Sequence, residues 1–396
     1  MIYLDNSATT PIDPEVLEAM LPYLKEEYGN PSSRHYTLAV NAEKAVEKAR
    51  EQVANLINAN PKEIIFTSGA SESNNMIIKG VSDYLKFYED KGNHIITSTV
   101  EHKSVLQTCK FLNGDVFWNN PDKTIASQFL KKKKNTKKIN RGFEVSFLPV
   151  NEYGQVTYEN FKNSIKENTI LASFIWGNNE IGSLNNIDSL SKIAKENNIL
   201  IHSDATQVLG KVPIDVKKTP VDFLSFSAHK IYGPKGVGAA FIRQESFNNY
   251  KMTSLIHGGQ QEFGYRAGTH AVHNIVGFGK ACEIAKREMD NYIEKILNLE
   301  EETKRILKEK YPEIEFLGDP ENKIPGVIGM IIPNVINEML IKNLANKVAI
   351  SAGSACGIGE PSYVIQEIGK ANCTNHFIRI SLNKNSFIDD ISKLNI

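Results

Sequence analysis

From about residue 60 the chain alternates short runs of β-branched and aromatic residues with longer stretches whose apolar positions recur every three or four residues. "EIIFTS" (63–68) leads into a helical stripe of Met76, Ile77, Val81, Tyr84 and Leu85, and "HIITST" (94–99) leads into "HKSVLQTCKFL". "TILASFIW" (169–176) precedes a helix bearing Ile187, Leu190 and Ile193, after which "ILIHSD" (199–204), "DFLSFS" (222–227) and "GVGAAFI" (236–242) follow closely. This alternation predicts an α/β unit built on a mainly parallel sheet. After Gly268 the period changes, predicting a long helix over roughly 272–310 and then shorter mixed elements. The expected division is a large α/β domain over 15–255 and a smaller α+β domain made of 256–396 and completed by 1–14.

One segment breaks the alternation. Residues 113–142 contain "NNPDKTIASQFLKKKKNTKKINRG", a Lys/Asn-rich stretch before the strand "FEVSFLP". A basic run can bind nucleic acid or another anion, but here aromatics and glycines are not interleaved with the lysines. A solvated insertion is the favoured reading.

Composition narrows the class. Of 396 residues, 41% are apolar and 23% charged, with zero formal net charge, so no global field points to nucleic acid or a membrane surface. No apolar run approaches the roughly 18 residues of a membrane span, and "MIYLDNSATTP" lacks the layout of a signal peptide. The four cysteines, Cys109, Cys282, Cys356 and Cys373, are scattered without a CxxC spacing, which argues against zinc and against a disulfide framework. A reduced, cytoplasmic protein is expected.

In a parallel α/β sheet, ligands sit beyond the carboxyl ends of the strands. Here those ends carry Thr67-Ser68, Ser98-Thr99, Gly177-Asn178, Ser203-Asp204 and Ser225–Ser227. "TSGASES" (67–73) sets small residues and the Ser71 hydroxyl at a helix start, which suits a phosphate, although serine there also serves as a plain helix cap. "HSDATQ" (202–207) ends a buried-looking strand in Asp204, a group that caps a turn or faces a cation such as a protonated ring nitrogen. "SFSAHKIYGPKG" (225–236) then places Ser227, His229 and Lys230 on a Gly/Pro turn. An anion site, a partner for a ring nitrogen and an amine are together what pyridoxal phosphate requires of a protein.

With these residues in place, the chain resembles the cysteine desulfurases of the NifS/IscS-like group, in the class V aminotransferase family of fold-type-I pyridoxal-phosphate enzymes. The motifs are "YLDNSATTP", "GNPSSRH", "EIIFTSGASESNN", "HIITSTVEHKSVL", "NNEIG", "HSDATQVLGKVPIDV", "SFSAHKIYGPKGVGA", "HGGQQEFGYRAGT", "SAGSAC" and "IRISL", spread over nearly the whole chain. The resemblance implies a fold-type-I α/β transferase with a seven-stranded sheet and pyridoxal phosphate as cofactor. Lys230 matches the Schiff-base lysine, Asp204 the ring-nitrogen partner and His102 the histidine stacked on the ring. Gln207 matches the contact to the ring's phenolic oxygen, and Asn179 a residue beside both cofactor and substrate carboxylate. Ala70, Ser71, Ser227 and His229 match the phosphate cradle, with Ser71 standing where the family usually has threonine. Thr269 matches a residue that reaches the phosphate from a second subunit, which implies a homodimer. Arg379 matches the arginine that grips the substrate carboxylate, a bidentate task suited to guanidinium.

Cys356, in "ISAGSAC", matches the nucleophile of a flexible loop, whereas Cys109 and Cys282 lie in helical patterns and read as core. The implied reaction turns L-cysteine into L-alanine and leaves the sulfur as a persulfide on Cys356, for a protein acceptor serving iron–sulfur assembly, tRNA thiolation or DNA phosphorothioation. Two departures bear on that acceptor. The stretch "GIGEPSYV" after Cys356 is shorter than usual, and the chain ends soon after "IRISL" where housekeeping members have a longer tail, which leans the expectation toward a specialised pathway. A selenocysteine lyase or a cysteine-sulfinate desulfinase is disfavoured by "SAGSAC". A non-catalytic scaffold of the same fold is disfavoured by the intact Lys230, Asp204, His102 and Cys356.

Overall fold

This computed structural model describes residues 1–33, 35–115, 139–244, 252–353 and 361–388. Most of the insertion 113–142, and Cys356 with its neighbours 354–360, lie outside the described residues. The strands run, in chain order, β1 (Ile2–Tyr3), β2 (Ile64–Thr67), β3 (His94–Ser98), β4 (Glu144–Leu148), β5 (Thr169–Ile175), β6 (Leu200–Asp204), β7 (Phe223–Ser227), β8 (Gly238–Ile242), β9 (Glu315–Leu317), β10 (Val327–Ile331), β11 (Val348–Ala349) and β12 (Phe377–Ser381). Seven of them form one sheet in the order β2-β8-β7-β6-β5-β3-β4. The pairs from β7 through β6, β5 and β3 to β4 are parallel, and only β8 runs against its two neighbours. The sheet is therefore mainly parallel, as the alternation predicts, and has the seven strands that the resemblance implies.

The helices follow in chain order, the third and fourth starting just after β2 and β3. They are α1 (Pro14–Lys25), α2 (Thr37–Leu56), α3 (Ala70–Phe87) and α4 (Lys103–Leu112), then α5 (Tyr158–Ser164) and α6 (Ile187–Glu196). The long helix α7 occupies Val272–Lys310, and a short α8 spans Asn337–Leu344. Met76, Ile77, Val81 and Leu85 of α3 are buried against Ile65, Ile95 and Leu171 of the sheet, the burial that their spacing predicts. Cys109 and Cys282 are buried core residues.

A second apolar cluster joins Ile328 and Met330 of β10, Ile378 and Ile380 of β12, Leu4 and Val348. It lies on a three-stranded antiparallel sheet, β12-β10-β9, with β1 and β11 paired in parallel beside it. Helix α7 serves both clusters: Ile275, Phe278 and Ala281 pack with the seven-stranded sheet, whereas Ile296, Leu299 and Leu307 pack with the smaller one. No helix among the described residues is long and apolar enough to cross a membrane.

The segment before α7 is tied down by a buried ion network. Glu262 accepts from Arg50 Nη1 at 2.7 Å and Nη2 at 2.9 Å, from His270 Nε2 at 2.6 Å and from the Phe66 N–H at 2.7 Å. Its backbone, like that of Phe263, is left-handed, with φ of 46° and 57°. The carboxylate is the anchor that holds this strained turn against β2. Burial alone would raise the Glu262 carboxyl, but hydrogen bonds from Arg50 and His270, and their charges, bring it down to about 2. Removing one partner leaves a buried charge unanswered, so Arg50→Ala should lower the unfolding free energy by about 3–5 kcal/mol in denaturant titrations. The folded-state value lies below the ordinary 4.5. This contribution is thus complete above that pH and lost as pH falls toward 2, and an Arg50→Ala protein should show a flatter acid limb.

Candidate active site

Five carboxyl-terminal strand ends, the start of the chain and Arg379 of β12 meet around a cleft of about 220 Å³. Each of its walls has a local reason for its shape. After β2, Gly69 adopts φ 150°, and α3 begins at Ala70, whose N–H donates to Ser227 Oγ at 2.8 Å. The helix start can come this close because Gly238 faces it: a Cβ there would lie 2.6 Å from Gly69 Cα. After β3, His102 caps α4, accepting from the Ser104 N–H at 3.2 Å, so it does the work of a helix cap while also lining the cleft.

Asp204 ends β6 and is 3% exposed. Its Oδ2 accepts from Asn74 Nδ2 at 2.8 Å, and its Oδ1 from Thr206 Oγ1 at 2.5 Å and the Thr206 N–H at 3.1 Å. All three donors are neutral. Gln207, one turn on, donates to the Ser7 carbonyl at 2.9 Å while its buried Oε1 has no partner among the described residues. Behind His102, Glu101 is fully buried and accepts from Ser98 Oγ and the Ile175 N–H. Burial, helped by the charge of Asp204, pushes it up to about 8 against those two hydrogen bonds, so Glu101 stays protonated at neutral pH.

After β7 the chain makes a single 3₁₀ turn, Ala228–Lys230, which closes with the Gly233 N–H on the Ala228 carbonyl. The turn is tight enough that a Cβ at Gly233 would lie 2.9 Å from Ala228 Cβ. Lys230 Nζ is thereby aimed at the cleft, where it donates to the carbonyls of Ser7 at 2.5 Å and Ala8 at 2.7 Å. His229 Nδ1 lies 3.1 Å from Thr9 Oγ1; burial and the charges of Lys230, Lys235 and Lys211 lower it to about 4, so it remains neutral. Lys211, also buried, is lowered to about 7 by burial and then by Lys230 and Arg379. At the far end, Arg379 on β12 is 1% exposed; its Nη1 donates to the Asn179 carbonyl at 2.7 Å and its Nη2 pairs with Asp5 Oδ1 at 2.5 Å.

Of the residues singled out from the sequence, Ala70, Ser71, His102, Asn179, Asp204, Gln207, Ser227, His229, Lys230 and Arg379 all line this one cleft. Thr269 does not: it is exposed and outside the cleft of its own chain. Cys356 lies outside the described residues. The sequence reading missed Asn74 and Thr206, which hold Asp204, and Asp5, Ser7, Ala8 and Thr9, which hold the arginine, the lysine and His229. The motif "YLDNSATTP" contains the last four, but nothing in its spacing says what they touch.

The donor set fits pyridoxal phosphate. A buried carboxylate with only neutral donors suits a protonated ring nitrogen, the orphaned Gln207 Oε1 marks an unmet polar contact, and small residues leave room at the start of α3. No cluster of three or more metal-ligating side chains occurs among the described residues.

Comparison with known proteins agrees. The Aminotransferase class-V family matches residues 2–135 and 133–394. The cysteine desulfurase IscS of Plasmodium falciparum is 43% identical over 99% of this chain, which spans 66% of that relative. IscS of Methylobacillus flagellatus is 40% identical over 97% of this chain and 87% of its own length. Among solved structures, a NifS-like protein superposes with a TM-score of 0.84 at 33% identity, covering 98% of this chain and 96% of that one. SspA in complex with cysteine gives 0.76 at 33% identity, over 96% and 99%. The chain belongs to the class V aminotransferase family and, within it, to the pyridoxal-phosphate-dependent cysteine desulfurases of the NifS/IscS-like group.

Proposed function

We propose that this chain performs the desulfurase reaction with Lys230, Asp204, Arg379 and Cys356 as its acting groups. The observation that carries this reading is the convergence of Lys230, Asp204 and Arg379 on one cleft. Pyridoxal phosphate, when bound, supplies an aldehyde that condenses with amines and a ring that draws electrons away from the substrate's Cα. Ala70, Ser71, Ser227 and His229 would hold its phosphate, with Thr269 of a second subunit. Asp204 would hold a proton on the ring nitrogen, Gln207 would meet the phenolic oxygen, and His102 would cover the ring face.

Arg379 and Asn179 orient the L-cysteine carboxylate. Lys230 Nζ would take the Cα proton and return it to Cα at the end, the cofactor supplying the electron sink for that transfer. The Cys356 thiolate attacks the substrate sulfur: an S–S bond forms as the Cβ–S bond breaks, its electron pair goes to Cβ, and a proton delivered there completes L-alanine. The persulfide on Cys356 then passes its outer sulfur to a protein thiol of iron–sulfur assembly, tRNA thiolation or DNA phosphorothioation. The reading includes a homodimer in the cytoplasm and direct contact with neither membrane nor nucleic acid. It divides the chain into a large unit over 15–255 and a smaller one made of 1–14 and 256–396. The two apolar clusters support that division, although the first turns of α7 pack with the larger one.

Three outcomes test the assignment. Borohydride reduction followed by peptide mapping should place the cofactor on Lys230, and label on Lys211 or any other lysine would remove Lys230 from its role. Cys356→Ala should bind the cofactor and respond spectrally to L-cysteine yet lose more than ~99% of sulfide and alanine production, as expected when a nucleophile is removed. Retained turnover would move the nucleophile, with the half-buried Cys373 the next thiol to test. Mixing inactive Lys230→Ala chains with inactive Thr269→Ala chains should restore part of the activity, because one site of the mixed dimer then holds both residues. Proven mixing without rescue would exclude shared sites.

A further inference from the structure

Arg379 is the most deeply buried cation of the cleft, and its five N–H groups are used unevenly. Nη1 is committed to the Asn179 carbonyl at 2.7 Å, and Nη2 to Asp5 Oδ1 at 2.5 Å. Nε, equally buried, has no hydrogen-bond partner among the described residues. A carboxylate bound bidentately along the side of a guanidinium takes Nε and Nη2 together. Asp5 therefore occupies one corner of the edge that a substrate carboxylate needs and leaves the other corner unmet.

The position of Asp5 is set by backbone, independently of the cleft. It forms a parallel bridge with Ser381, two residues beyond Arg379, and the Asn6 side chain donates to the Ser381 carbonyl at 2.9 Å. Its side chain retains 19% exposure while that of Arg379 retains 1%. A carboxylate with access to water can leave the pair at a lower cost than the arginine can. Asp5 is thus the partner able to move.

We propose that Asp5 is a resident competitor for Arg379, displaced when the carboxylate of an amino acid enters and restored when the product leaves. The proposal rests on the reading of Arg379 as the carboxylate clamp. While the cleft is empty, Asp5 answers a buried positive charge. When an amino acid binds, part of the binding free energy is spent on displacing it, so apparent affinity falls by the fraction of time that the arginine is free. The effect applies equally to L-cysteine and L-alanine, since both present the same carboxylate, and so it speeds product release as well as weakening substrate binding. An amine lacking a carboxylate does not meet the competition.

The test uses the holoenzyme with L-alanine as a non-reacting probe and ethylamine as its carboxylate-free counterpart. Asp5→Asn and Asp5→Ser should each bind L-alanine about tenfold more tightly than the wild type, with ethylamine affinity unchanged and KM for L-cysteine lowered. Unchanged or weaker L-alanine binding in both variants would overturn the proposal. Should neither variant fold, a crystal structure of the wild-type holoenzyme with L-alanine decides. Asp5 should then lie beyond hydrogen-bond reach of Arg379, and an intact pair would overturn the proposal. Arg379→Gln separates this idea from its premise. If that variant retains wild-type discrimination between L-alanine and ethylamine, the clamp reading fails. If discrimination is lost but the Asp5 variants bind no more tightly, only the competition fails.

Discussion

A single buried negative charge organises the cleft. Asp204 sits at the end of β6, 3% exposed, among the neutral donors Asn74 and Thr206. Charges in such surroundings persist only when hydrogen-bonded and finally answered by a cation. Its neighbours are adjusted to it. Glu101, the other carboxyl nearby, is pushed up to about 8 by burial and by Asp204, so the site holds one carboxylate rather than two repelling ones. His202, two residues upstream, stays neutral, because burial lowers it to about 4 in spite of the attraction of Asp204. Lys230 and Arg379 line the same cleft, and Lys211, buried outside it, is brought down to about 7 by burial and then by their charges.

The sheet carries this charge because its own polar interior is self-contained. His202 spans two neighbouring strands through Ser173 Oγ at 2.8 Å and Ser225 Oγ at 3.0 Å, and His94 does the same through Thr169 Oγ1 and Ser146 Oγ, both at 2.8 Å. Each imidazole offers one donor and one acceptor when neutral, so hydroxyls on both sides satisfy it in full. Each such bond contributes about 0.5–1.5 kcal/mol, but losing one partner would leave a buried polar atom at a larger cost, which pins the strands in register.

Much of this was legible in the chain. The β-branched runs at 63–68, 94–99, 169–176, 199–204, 222–227 and 236–242 each contain the strand found there, because burial on both faces leaves continuous apolar segments that helices of this protein lack. The long helix has the predicted bounds, Val272–Lys310, since a 3.6-residue period without a breaker permits little else. Periodicity could not tell that this helix changes apolar partners midway, as both halves show the same stripe. Nor could the sequence show that Lys230 is held by the carbonyls of Ser7 and Ala8, because backbone oxygens have no residue identity. Asn74 lies one turn into a helix, and only the closeness of α3 to β6 makes it a partner of Asp204. The pairing of Arg379 with Asp5 joins residues from opposite ends of the chain, a relation that spacing does not encode.

That last relation shows how the smaller sheet reaches the chemistry. Residues 5–8 are bound to β12 through the bridge of Asp5 to Ser381, the Asn6 side chain on the Ser381 carbonyl and the Ser7 N–H on Ser381 Oγ at 2.9 Å. The same four residues hold the floor of the cleft, since the Ser7 carbonyl receives both Gln207 Nε2 at 2.9 Å and Lys230 Nζ at 2.5 Å. Asp5 touches the arginine and Ser7 the lysine, with one residue between them. A shift of Asp5 on carboxylate binding is therefore mechanically close to the groups that hold Lys230, and withdrawal of Lys230 Nζ from the Ser7 carbonyl removes one of the bonds that keep the segment in place. Arg379 and Lys230 are thus held from the two ends of one short, hydrogen-bonded strip of backbone, Asp5 to Ala8.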